Sequence, residues 1–176
     1  KHAALPVCFR RLPPLDIQKK KLYFIGMKII VDADSCPAAV RAVILKAAER
    51  RGVAAHFAAN RPIPRLWGNA VMELCDAGED AADNRIVELA IPGDIVITRD
   101  IPLAKRLVER AIDVMDDRGR VFTKENIGEH YSLRCFQLEI IENGVDVVRT
   151  PNYGKKALKQ FADSFDKLFT ARAAAR

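Results

Sequence analysis

"MKIIVDADSCP", residues 27–37, decides how the rest of the chain reads. Its first half, Lys28–Asp32, is short, continuous and rich in β-branched residues, the pattern of a strand buried on both faces. Its second half sets two carboxylates, Asp32 and Asp34, one residue apart, directly before a turn and Pro37. Asp and Ser ahead of a proline suit the start of a helix, so both acids could be caps. They could equally be the first half of a metal site.

Outward from this stretch, strands and helices alternate. "PAAVRAVILKAAERRG" (37–52) reads as a helix, with Pro37 in its first turn and Gly52 as its stop. "VAAHFAA" (53–59) reads as a second strand, with His56 as a core histidine. "NRPIPRLWGN" (60–69) is a loop, because Pro62 and Pro64 forbid regular pairing. "AVMELC" (70–75) is a third strand that could also be helical, and "ADNRIVELA" (82–90) is a helix. A strand follows Pro92-Gly93 at about 94–98, then a helix at 101–111 and a strand at 112–116. A helix is expected near 124–133 from Thr123, with mixed but mainly helical sequence after it. The last helix carries Leu158, Phe161, Phe165, Leu168 and Phe169 on one stripe. This alternation predicts a three-layer α/β/α sandwich around a mainly parallel sheet, in one domain over residues 27–176.

The formal charge of +6 invites a nucleic-acid reading, but its distribution weakens it. Residues 1–26 hold six Lys/Arg and one acid, leaving 23 basic and 22 acidic groups in the other 150 residues. Any polyanion must therefore meet a local patch on the main domain. The leading segment reads as a disordered or non-native extension, with Met27 as the natural start. No apolar run approaches the roughly 18 residues of a membrane span. Cys8, Cys36, Cys75 and Cys135 show no paired ligand spacing, so a reduced cytoplasmic protein is expected.

In a sheet of this kind, ligands sit outside the carboxyl ends of the strands, where the strand order reverses. Asp32 ends the first strand and Asp100 lies just past the strand at 94–98. Asp80 and Asp83 open a helix from a loop at the same edge. Carboxylates gathered this closely cannot all ionise without a counter-charge. Mg²⁺ or Mn²⁺ supplies one, and such hard cations take oxygen ligands. Metal-assisted phosphodiester hydrolysis follows from that constellation.

"VDADSCP", "DAADNRIVELAIPGDIVITRDIPLA" and "RGRVFTKENI" resemble the YaiI/YqxD family of uncharacterised bacterial proteins over most of residues 27–136. That family is similar to PIN-like domains, which are Mg²⁺- or Mn²⁺-dependent ribonucleases of α/β/α architecture. The resemblance implies a first-strand Asp, matched by Asp32. It implies an Asp-x-x-Ile-x-x-x-Ala helix, matched by Asp83, Ile86 and Ala90, and a strand-end Thr-x-Asp, matched by Thr98 and Asp100. Asp34 and Asp80 are added as neighbours of the same metal. The further acid usual in PIN domains has only Glu73 as a candidate, and "TPNYGKKALKQF" stands where the YaiI/YqxD family tends to show a Gly-Gly-Pro loop.

The expected reaction is therefore hydrolysis of RNA, with Asp32, Asp83 and Asp100 catalytic and Arg99, Asn60, Arg61 and Thr98 meeting the substrate. Arg65, Lys105, Arg118 and Lys124 are further cations that either contact phosphate or face solvent. Asp94, Asp116 and Asp117 read as structural turn residues, and Cys36 as a small buried residue. Two alternatives stand beside this. A haloacid-dehalogenase-like phosphatase would use Asp32 as nucleophile and Asp34 as general acid, with Thr98, Lys105 and Asp116-Asp117 as later motifs. A catalytically inactive PIN-like module would bind RNA or protein without a metal.

Overall fold

A computed structural model describes residues 26–78, 80–144 and 153–174 of the chain. The expected leading extension thus falls outside the described residues, apart from Gly26. Strands β1 (Lys28–Asp32), β2 (Ala54–Ala59), β3 (Ala70–Leu74), β4 (Ile95–Ile97), β5 (Asp113–Met115) and β6 (Val121–Phe122) form one sheet. Its spatial order is β3-β2-β1-β4-β5-β6. All neighbours are parallel except β5 and β6. The helices are α1 (Ala38–Arg51), α2 (Ala81–Leu89), α3 (Ile101–Glu109), α4 (Ile127–Glu142) and α5 (Lys155–Ala174).

Residue parity in β1 divides the core into two. Ile29 and Val31 pack with α1 and α5, whereas Ile30 packs with α2, α3 and the start of α4. The same division runs through β4, where Ile95 and Ile97 join the first cluster and Val96 the second. A strand buried on both faces must be apolar at every position, which is why "IIV" and "IVI" show no alternation. The result is the expected three-layer sandwich.

Helix α5 closes one face with Phe161, Phe165 and Phe169, all essentially inaccessible and stacked with ring centroids 5.5 Å apart. Leu158 and Leu168 pack beside them, so the aromatic stripe is core. Gly119, at φ +88°, turns the chain between β5 and β6. A Cβ there would lie 2.7 Å from the Gln160 carbonyl, so α5 needs glycine beneath it. Gly52 ends α1 in the left-handed conformation, as expected of a stop residue.

Three local expectations differ from the fold. The helix expected from Thr123 begins at Ile127 and continues to Glu142, because Thr123 to Asn126 form a turn held by Asn126 Oδ1 on the Thr123 N–H. The two-residue β6 carries too little sequence to announce itself. His56 is a partner of Glu73 rather than a core residue: its Nδ1 lies 2.8 Å from Glu73 Oε1 on the neighbouring strand.

Asp94 fixes the amino-terminal end of the β1–β4 pair. It is fully buried, and its Oδ1 accepts from the Lys28 N–H at 2.9 Å. Its Oδ2 accepts from the Ile91 N–H at 3.0 Å and from Lys28 Nζ at 2.6 Å. The structural role expected of Asp94 therefore holds. No described helix is long and apolar enough to cross a membrane. Asp94→Ala strands two backbone donors and one ammonium, and should cost about 2–4 kcal/mol. Equilibrium urea unfolding measures this; an unchanged midpoint would contradict it.

Candidate functional site

The strand order reverses at β1: α1 leads away to β2 and β3, whereas β4 and β5 lie on the other side. Such a reversal leaves a crevice at the carboxyl edge between the two central strands. Parity then selects what fills it. Asp32 lies two residues after Ile30, and Thr98 two after Val96, so both side chains belong to the α2/α3 face. Asp83 stands in the first turn of α2, and Asp100 is the N-cap of α3.

Asp32 is 8% exposed, and its carboxylate is used unevenly. Oδ2 accepts hydrogen bonds from Thr98 Oγ1 at 2.9 Å and Ser35 Oγ at 3.0 Å. Oδ1 accepts none among the described residues. Burial raises the pKa of this group from its ordinary value; the two hydroxyl donors oppose that, and the charges of Asp34 and Asp100 add to it. Asp100 is held from both ends: its Oδ1 accepts from the Leu103 N–H at 2.7 Å, and its own N–H donates to Thr98 Oγ1 at 3.0 Å. Arg134 of α4 lies 3.9 Å from its Oδ2.

Asp83 has no hydrogen bond or ion pair among the described residues, and its pKa is pushed up to about 6. Burial is the main cause, followed by the charges of Asp100, Asp32 and Asp80. The charges of these acids therefore act on one another. Asp34 lies at the rim, where its Oδ2 accepts from the Asn60 N–H at 2.9 Å and its Oδ1 is 3.6 Å from Arg61. Asp80 is exposed and left-handed at φ 59°, and makes no side-chain cap.

Among the described residues, no three His, Cys, Asp or Glu side chains stand close enough together to hold a metal ion. The five-carboxylate ligand set expected from the sequence is thus not assembled around one point. A hydrated Mg²⁺ is a smaller demand, because it keeps several waters and takes one or two carboxylates plus substrate oxygens. Asp32, with a free Oδ1, and unpartnered Asp83 suit that mode as hard, mutually repelling oxygen donors.

The remaining expected site residues separate by their contacts. Thr98 is 2% exposed and spends its hydroxyl on Asp32 and Asp100, so it orients acids rather than meeting substrate. Asn60 and Arg61 are tied to Asp34. Arg99 stays half-exposed while its Nε lies 3.1 Å from Asp117 Oδ1, a buried carboxylate. Asp116 caps the β5–β6 turn through the Arg118 and Arg120 N–H groups, so it is structural as expected. Glu73 is taken by His56 and Arg85, which removes it as a further acid at the edge. Lys105 lies 4.3 Å from the Tyr131 ring centroid. Cys36 is buried, and burial pushes its thiol up to about 12, far from a thiolate nucleophile.

Sequence reasoning missed three participants. Ser35 offered a weak signal, as a hydroxyl three residues after Asp32; it bonds Asp32 instead of capping α1, whose N-cap is Pro37. Arg134 and the anchoring role of Asp117 gave none, because both depend on packing between distant elements.

Residues 30–171 match the YaiI/YqxD family, described only as uncharacterised. A UPF0178 protein of Treponema denticola is 46% identical over 142 residues, covering 81% of this chain and 91% of the relative. One from Myxococcus xanthus is 43% identical over 82% of this chain and 95% of the relative. A third, from Thioalkalivibrio sulfidiphilus, is 37% identical over 83% of this chain and its own full length. No solved structure matches.

The raised pKa of Asp83 has a stability consequence. Because the folded value of about 6 lies above the ordinary 3.8 of an aspartate, the folded state binds more protons in that window. The favourable contribution of the protonated group is therefore complete below about pH 4 and is lost as pH rises through 6. Asp83→Asn should raise the thermal midpoint at pH 7.5, with the gain vanishing near pH 4. A gain independent of pH would contradict this.

Proposed function

The chain belongs to the YaiI/YqxD family, and from that premise we propose that it is a divalent-cation-dependent nuclease acting on RNA at the edge bearing Asp32, Asp83 and Asp100. The single observation that carries this reading is the pairing of unequal carboxylates there. Asp32 is oriented through one oxygen with the other left free, and Asp83 has no partner although three other acids repel it.

Mg²⁺ or Mn²⁺, when bound, would acidify an attacking water and offset charge on the phosphodiester. The chain's own groups do the rest. Thr98 and Ser35 fix Asp32, and the α3 cap fixes Asp100, so neither must reorganise as charge develops. Asp83 would hold a cation as its carboxylate, so such binding would strengthen as pH rises through about 6. Arg99, next to Asp100 and braced by Asp117, keeps a half-exposed guanidinium that would meet a phosphate oxygen. Cys36, Cys75 and Cys135 are free thiols, which suits a reducing cytoplasm.

The test is cleavage of an end-labelled oligoribonucleotide with Mn²⁺. Asp32→Asn and Asp83→Asn should each lower kcat/KM by about 100-fold, the scale of a lost electrostatic stabiliser, and EDTA should abolish cleavage. Release of phosphate from p-nitrophenyl phosphate, blocked by fluoroberyllate, would instead assign a phosphatase. RNA binding without cleavage, unchanged by Asp32→Asn and by EDTA, would assign a binding module.

A further inference from the structure

The loop between β2 and β3 begins at the acidic edge, where Asn60 and Arg61 hold Asp34, and then folds back along α1. Between this loop and the first half of α1 lies a cavity of about 470 Å³, lined by Ala38, Arg41, Leu45, Pro64, Arg65 and Trp67 among others. That volume falls within the range of small-ligand pockets, roughly 300–1,000 Å³. Its chemistry is mixed in one specific way: an aromatic ring, an apolar floor and two guanidinium groups.

Three features set this cavity apart from the other surface hollows. Trp67 is 41% exposed, although it is the chain's single tryptophan and the largest apolar side chain available for the core. Arg65 is exposed, makes no hydrogen bond or ion pair among the described residues, and sits in the left-handed region at φ 60°. A non-glycine residue held there is strained, and such strain gathers at binding sites. The loop is also braced on both sides. Asn60 donates its N–H to Asp34, and Asn69 Nδ2 donates to the Ala48 carbonyl at 3.4 Å. Arg41 is planted on the Cys36 carbonyl, which ties the cavity wall to the acid-bearing turn.

We propose that this cavity is a nucleotide subsite for a single-stranded nucleic acid, with a base stacked on Trp67 and its phosphate met by Arg65 and Arg41. The subsite rests on the nuclease reading for the direction of the strand, which would run from the cavity past Asn60 and Arg61 to Asp32. It adds the substrate class, because only an unpaired base exposes a face for stacking. Arg65 supplies charge for the backbone without reading sequence.

Trp67 reports on its own site, since excitation near 295 nm addresses it alone. The probe is a fluorescein-labelled ten-nucleotide oligoadenylate, titrated in EDTA so that binding is read without cleavage. The single strand should quench Trp67 emission saturably, and a blunt duplex of the same length should not. By anisotropy, Trp67→Ala and Arg65→Gly should each weaken binding by about tenfold, while Trp67→Phe, which keeps a stacking face, retains it. Arg65→Gly relieves the left-handed strain, so its thermal midpoint should match or exceed the parent's, and weaker binding cannot be laid to unfolding. Binding that leaves Trp67 emission unchanged, full affinity in Arg65→Gly, or no binding by the parent would overturn the subsite. The two readings fail separately. Unchanged Mn²⁺-dependent cleavage by Trp67→Ala and Arg65→Gly removes the subsite and leaves the carboxylates. Quenching in EDTA with no cleavage in Mn²⁺ leaves the subsite and removes the nuclease.

Discussion

The parallel pairing of β1 with β4 is the constraint on which the rest depends. It joins Ile29 to Ile95, Ile30 to Val96 and Val31 to Ile97 across 66 residues of sequence. Slipping this register by one residue would send Asp32 or Thr98 to the α1/α5 face and bury a carboxylate or a hydroxyl among Val40, Ile44 and Phe161. The apolar residues before Asp32 therefore do more than build a core. They force the chain to deliver a carboxylate and its hydroxyl partner to the same side of the same edge.

The two ends of that strand pair treat their carboxylates in opposite ways. Asp94, at the amino end, is fully buried with both oxygens engaged by backbone N–H groups and an ammonium. That is how a protein keeps a buried charge for structure. Asp32, at the carboxyl end, is nearly as inaccessible but bonded through one oxygen, and the charges of Asp34 and Asp100 act against its ionisation. Asp83 is further from satisfaction still. Like charge at a switch-point crevice, only partly relieved by Arg134, Arg61 and Arg106, is a departure from local consistency of the kind expected at functional sites.

Much of this was legible because it follows from periodicity. The continuous apolar runs at 29–31 and 95–97 gave the strands, their ends gave Asp32 and Asp100, and the Phe161–Phe165–Phe169 spacing gave the closing helix. Asp100 shows why role is harder to read than place, since it is both a helix cap and a member of the acid group. What stayed hidden depends on tertiary contact. Thr98 became an internal donor only once β4 lay beside β1, and Glu73 was lost to the edge only once His56 and Arg85 flanked it. The start of α4 moved by one turn because Asn126 closes a turn that propensity alone does not foresee.

On the proposed reading, Asp32 and Asp83 share a cation. Anomalous scattering from a crystal soaked in Mn²⁺ would locate it. A peak is expected in contact with Asp32 Oδ1 and the Asp83 carboxylate. An edge that stays empty at saturating Mn²⁺, or an ion bound elsewhere with both carboxylates unliganded, would contradict it.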